Sequence, residues 1–193
     1  MKRIFDLLGS FLGIILLLPA FLIIWLFIKM DSKGPALINQ ARLGKDGKAF
    51  KMHKFRSMVI SPNGLEYILA NNKFLKKVEE NDPRITKAGK RLRKLHLDEL
   101  PQLINVLKGE MSLVGPRPAL LATNINPEVI CLEKTTVRPG LTGLAQVSGG
   151  VNLPFTKEKE YDLRYIKEGS LLMDIKIILF TLLQIFDWHR RKI

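Results

Sequence analysis

Leu7-Leu-Gly-Ser-Phe-Leu-Gly-Ile-Ile-Leu-Leu-Leu-Pro19-Ala-Phe-Leu-Ile-Ile-Trp25-Leu-Phe-Ile28 is 22 residues without a charge. Crossing the hydrocarbon core of a bilayer takes about 20 apolar residues in a helix. A secretory signal would have a shorter apolar core and a small-residue cleavage site. Here Ile28 runs straight into Lys29-Met-Asp-Ser-Lys33. A helix at the surface of a soluble core would carry a polar face, and this one has none. The segment is therefore read as a membrane helix over residues 1–30. Lys2 and Arg3 precede it and Lys29 and Lys33 follow it, so the basic residues give no orientation. Pro19 removes one backbone hydrogen bond in mid-segment and kinks the helix. A helix that spans and one that turns back are both compatible with this pattern.

Outward from this helix, the 193-residue chain has one domain's worth of sequence, residues 31–193, read as a single unit. Its 47% hydrophobic content excludes a disordered protein. The later apolar stretches carry charges, which excludes a transporter with many spans. A single cysteine, Cys131, excludes a disulfide scaffold and a thiolate zinc site. The formal charge of +13 points to an anionic partner. Residues 31–95 hold 16 basic and 6 acidic side chains, so the excess is concentrated between the apolar run and Asp98.

The local signals give a mainly α, α+β chain with a short hairpin. Residues 36–40 read as a strand, 42–47 as a turn with Asp46-Gly47 at its apex, and 49–56 as an amphipathic strand. Residues 61–82 read as a loop with a short helix. Residues 86–97 read as a helix despite Gly89, and 100–107 carry an apolar face. Gly115-Pro-Arg-Pro118 stops any helix. Residues 128–133 read as a short helix or strand, and Arg138 to Gly143 as a tight turn system. Residues 156–167 read as a charged helix. Residues 171–186 read as an amphipathic helix, a core helix or one lying in the membrane interface with Trp188 and Arg190-Arg-Lys192 at the headgroups.

The densest polar cluster runs from Asp82-Pro-Arg84 through Arg91, Arg93 and Lys94 to Asp98-Glu99. On a helix Arg91, Leu95 and Asp98 would share a face, and Lys94 would face Asp98. Adjacent carboxylates on a helix point about 100° apart, which does not suit the two flanks of a glycosidic bond. A cationic wall beside a carboxylate suits phosphate, because arginine presents a fork to its oxygens. A carboxylate can also attack phosphorus, and a hard divalent cation would neutralise the charge there. Ordinary salt bridging is the plain alternative. The Lys54-Phe-Arg56-Ser57 run, Arg117 between two prolines, and the Arg138-Pro-Gly loop are further anion-site candidates. Walker A, Rossmann and HExxH sequences are absent. His53, His96 and His189 have no metal-ligand spacing.

Nine runs then stand in one order: Lys2-Arg-x-x-Asp6, Ser32-x-Gly-Pro35, Gln40-x-Arg-x-Gly44-x-x-Gly47, Lys54-Phe-Arg-Ser-Met58, Asp82-x-Arg-Ile-Thr86, Leu97-Asp-Glu-Leu-Pro-Gln-Leu103, Asn105-Val-Leu-Lys-Gly-Glu-Met-Ser112, Gly115-Pro-Arg-Pro118 and Arg138-Pro-Gly-x-x-Gly-x-Ala-Gln146. Over nearly its whole length the chain resembles the bacterial sugar transferases, the small monotopic phosphoglycosyl transferases that initiate surface-glycan assembly. The resemblance implies transfer of a sugar phosphate from a UDP-sugar to polyprenyl (undecaprenyl) phosphate, with release of UMP. It implies that Asp98 is the nucleophile and carries the phosphosugar, and that Glu99 is its dyad partner, helping to activate the lipid phosphate. It implies Mg²⁺ beside Asp98, and Arg93 as a phosphate ligand. Arg117 matches the arginine of the Gly-Pro-Arg-Pro turn. Arg84, Lys54, Arg56, Arg117 and Arg138 join Arg93 as candidate phosphate contacts. It also implies a re-entrant helix broken at Pro19. Both ends would then face the cytoplasm at the inner membrane, among membrane lipids. His96, His53 and Gly149-Gly150 depart from the family's usual residues.

Two other classes compete. A membrane-tethered nucleic-acid or anion binder would use the basic stretch on phosphates. The 8% aromatic content and the lack of a nucleic-acid motif weigh against it. A non-catalytic membrane scaffold would leave Asp98-Glu99 as salt bridges. The sugar and the oligomeric state are not legible.

Overall fold

The computed structural model describes residues 1–59, 82–120 and 132–190. The short helix expected within 61–82, most of the element expected at 128–133, Cys131, and residues 191–193 of the terminal basic run lie outside them. Helix α1 (Lys2–Asp31) is followed by β1 (Leu37–Leu43) and β2 (Ala49–Phe55). Then come α2 (Lys87–Lys94), α3 (Gln102–Lys108), β3 (Ser112–Val114) and β4 (Ala119–Leu120). Strand β5 (Gly140–Thr142), α4 (Leu144–Val147), α5 (Phe155–Glu168) and α6 (Leu171–Arg190) complete the order. The fold is mainly helical with a small hairpin.

The chain divides into two compact units, one of residues 1–16, 39–53 and 101–193, the other of residues 17–38 and 54–100. In the second unit, Ile24 and Ile28 of α1 bury against Ala36, Phe55 and Leu92. Phe21 meets Phe55 with ring centroids 5.5 Å apart. In the first unit, Met52, Val106 and Met111 form one cluster, and Val114, Tyr165 and Ile177 another.

α1 is helical through Pro19, which frees the Ile15 carbonyl without ending the element. At 1.5 Å per residue its 30 residues reach about 45 Å, more than the roughly 30 Å of a hydrocarbon core. Asp6 and Ser10 are fully buried, and the Asp6 carboxylate accepts from the Ser112 hydroxyl at 2.9 Å and the Leu113 amide at 3.0 Å. Lys2 Nζ donates to the Val114 carbonyl, the Tyr165 hydroxyl and, at 2.6 Å, the Asp174 carboxylate. Arg3 donates to the carbonyls of Val106 and Leu107 at the end of α3, where a cation is favoured. Farther along, Leu12, Leu16, Leu22, Ile23 and Leu26 are exposed, as an apolar solvent would allow.

The hairpin apex falls at Asp46 and Gly47, both at positive φ. Strand β1 lies between β2 and β4. It runs antiparallel to β4, with Arg42 opposite Leu120. The loop expected at 138–143 contains β5, which pairs parallel to β3 with Ser112 opposite Gly140. The Gly-Pro and Pro-Gly dipeptides that read as turns are where two backbones touch: a Cβ on Gly140 would run into the backbone of Gly115.

Candidate active site

The acidic pair lies in the second unit. Thr86 caps α2 by accepting from the Gly89 amide at 2.9 Å, and Asp31 accepts from the Ala88 amide. Gly89 is pressed against the Ser57 carbonyl, into which a Cβ would run. The helix ends at Lys94, three residues earlier than the sequence predicts. Leu95 follows as the cap, and His96 adopts a left-handed conformation with φ 54°. Leu97–Glu99 form one turn of 3-10 helix. The shared helical face expected for Arg91, Leu95 and Asp98 therefore does not form, nor does the helical pairing of Lys94 with Asp98. The break occurs because Leu97 and Leu100 both turn into the Ile24–Phe55 core, which a continuous helix would not permit.

This turn buries Asp98 to 8% exposure. Burial pushes its carboxyl above the usual range. Lys54 opposes that, Glu99 adds to it, and Arg93 and His96 oppose it more weakly. Lys54, on β2, donates to Glu99 Oε1 at 2.9 Å. This pair joins residues 45 apart, too far for any spacing signal to reveal. Arg93 reaches the Met58 sulfur at 3.9 Å. Of the basic residues marked out in the sequence, Lys54 and Arg93 are the two whose charge is felt at Asp98.

The others are placed differently. Arg56 is buried and donates to the Pro35 carbonyl and to the hydroxyl and carbonyl of Ser32, bracing the turn after α1. Arg84 forms a two-pronged pair with Asp82. Pro19 lies within α1. Arg117 and Arg138 belong to the first unit. Arg117 acts on the buried Asp162, and Arg138 Nε donates to the Gly109 carbonyl at 2.8 Å. His53 is bonded to Asn39 and Lys108.

Among the described residues no three histidine, cysteine, aspartate or glutamate side chains converge on one point. An all-protein metal cage is therefore not formed by them. Mg²⁺ does not require one, since it takes one or two carboxylates and completes its shell with phosphate oxygens and water. A buried Asp98 next to Glu99 fits that donor set. Chemically, the arrangement offers a buried carboxyl group beside two cations, which suits a nucleophile for a phosphorus centre.

A profile described as bacterial sugar transferase matches residues 1–188. A UDP-glucose:undecaprenyl-phosphate glucose-1-phosphate transferase of Klebsiella pneumoniae is 42% identical over 193 residues, covering 96% of this chain and 40% of that protein. An undecaprenyl-phosphate galactose phosphotransferase of Salmonella typhimurium is 40% identical, covering 94% of this chain and 39% of its own length. The exopolysaccharide production protein ExoY of Rhizobium meliloti is 36% identical, covering 94% of this chain and 83% of its own length. The chain thus spans about two fifths of the first relatives and most of the third.

Proposed function

This chain belongs to the bacterial sugar transferase family, and on that footing we propose that it moves a sugar phosphate from a UDP-sugar to undecaprenyl phosphate, an early step in building a surface glycan. The family match and the activities named for the relatives support the substrates. The observation that carries the chemistry is Asp98, buried on a turn whose flanking leucines anchor in the core and whose neighbours include Lys54 and Arg93.

In the first step an Asp98 carboxylate oxygen bonds to the β-phosphorus of the UDP-sugar. The bond from that phosphorus to the oxygen bridging the two phosphates breaks, and UMP leaves with the electron pair. In the second step an oxygen of the lipid phosphate bonds to the same phosphorus. The bond to Asp98 breaks and the carboxylate is restored. Lys54 and Arg93 neutralise the phosphate oxygens as negative charge builds. Glu99, held by Lys54, is the dyad partner that helps to activate the incoming lipid phosphate. Mg²⁺, held by Asp98 and substrate oxygens, would supply further charge neutralisation when bound. Burial serves the nucleophile: a desolvated carboxylate has no water shell to shed before attack.

The acceptor is a lipid, and α1 supplies the place. We read it as re-entrant, with both ends on the cytoplasmic face of the inner membrane where UDP-sugars are found. The start of α1 is held by Val106, Val114 and Asp174, and its end by Ala36, Phe55 and Leu92. No second candidate span joins those two sets among the described residues.

The test is UMP release by the full chain in detergent, with Mg²⁺, undecaprenyl phosphate and a panel of UDP-sugars. Release that depends on the lipid, and that Asp98→Asn abolishes without a change in melting, is the expected result. Asp98→Asn turning over at the parent rate would overturn the mechanism.

A further inference from the structure

In the first unit a cavity of about 440 Å³ opens between the start of α1, the start of α6 and the segment leading into β5. Val137, Ile166 and Leu171 give it apolar walls, and Arg3, Lys45 and Arg138 set positive charge around it. Its two carboxylates are already engaged. Asp174 is held by Lys2 and by the Tyr165 hydroxyl at 2.6 Å, and Asp6 by Ser112 and Leu113. The charge left facing the cavity is therefore cationic. Arg138 uses only Nε, on the Gly109 carbonyl, and its two terminal nitrogens have no partner among the described residues. Lys45 is exposed and without an ion pair there.

A site of this size, apolar inside and cationic at a few points, takes an amphiphile with an anionic head. The elements that line it also carry exposed apolar side chains: Ile4, Leu7 and Leu8 on α1, and Leu172 and Ile175 on α6. We propose that this cavity binds one phosphate-bearing membrane lipid per chain, its phosphate on Arg138 and Lys45 and its hydrocarbon along Val137, Ile166 and Leu171. These residues belong to the first unit, and Asp98 to the second. The inference rests on the membrane association proposed above. A bound lipid there would wedge the start of α1 against α6 and tie the fold of the first unit to the composition of the bilayer.

The test uses the full chain in nanodiscs and in mild detergent. Vesicle flotation is measured first, and failure to float would sink the membrane reading itself. For a chain that floats, native mass spectrometry should find one retained lipid. In the Lys45→Gln/Arg138→Gln variant, with unchanged circular dichroism, retention should fall about tenfold, as expected for loss of charged hydrogen bonds to a phosphate. Delipidated protein should be stabilised by phosphatidylglycerol or by undecaprenyl phosphate, and competition between the two identifies the occupant. Diacylglycerol, which lacks the phosphate, should not stabilise it. No retained lipid, equal retention in the variant, equal stabilisation by diacylglycerol, or stabilisation by inorganic phosphate alone would each overturn the proposal.

Discussion

Two buried carboxylates, Asp98 and Asp162, illustrate how a side chain's surroundings set its chemistry. Both are driven upward by burial, but Asp162 sits in the first unit, faced by Lys134, Glu158 and Arg117, and is pushed up to about 6. One of its oxygens has no hydrogen-bond donor, with Lys134 Nζ 3.5 Å away. A raised folded value means that the protonated form is favoured by folding. The stabilisation is full below about 3.8 and is lost as the pH rises through about 6. The group should therefore cost the fold roughly 2–3 kcal/mol between those limits. Melting temperature followed from pH 4 to pH 7 should fall in the parent, and Asp162→Asn should flatten the slope; an equally steep slope in the variant would remove Asp162 as its source. Asp98 stands out in the sequence as the first member of an acidic pair behind a basic run, and the structure finds it buried. It gave no role to Asp162, because a lone aspartate in a charged helix looks like any other until its burial is seen. Arg56 is the converse case. Its position in a basic run suggested a ligand for phosphate, whereas its donors turn to Ser32 and Pro35.

The elements were legible where a periodic signal ran long enough. α1, the hairpin apex, α5 and α6 fall close to where hydrophobic spacing and turn residues put them. The missed features are short and non-local. Strands β3 and β5 have three residues each and pair across a long separation, which leaves no periodicity to read. The end of α2 was invisible because neither glycine nor proline marks it; His96 takes the left-handed conformation where the chain turns Leu97 and Leu100 against the core. Gly89 looked like a weak point in this helix, and it is instead a packing requirement. By helix propensity alone, Gly89→Ala would stabilise by about 1 kcal/mol. The Ser57 carbonyl occupies the space that the new Cβ needs. Overpacking of this kind costs roughly 1–3 kcal/mol, so the clash should win and the melting temperature should drop. A rise in melting temperature would show that α2 can shift away from Ser57. Because α2 carries Arg93, the same variant should also lose turnover.

For the whole molecule, the concentration of positive charge after α1 and the exposed apolar residues along α1 go together: an anionic, water-lipid boundary would meet both. A re-entrant α1 makes a direct topological prediction. A cysteine in a short tag ahead of Met1 and a cysteine at Lys33, in a chain lacking Cys131, should both react with an impermeant maleimide in inverted membrane vesicles. In spheroplasts neither should react; labelling of one site from each side would establish a spanning helix instead. The buried contact between Asp6 and Ser112 bears on time rather than space. The two residues are 106 positions apart, and translation adds about 5–20 residues per second, so Asp6 exists for roughly 5–20 s before its partner does. On the membrane reading proposed above, an α1 that enters the bilayer as it is made carries there a carboxylate whose hydrogen-bond partners have not yet been synthesised.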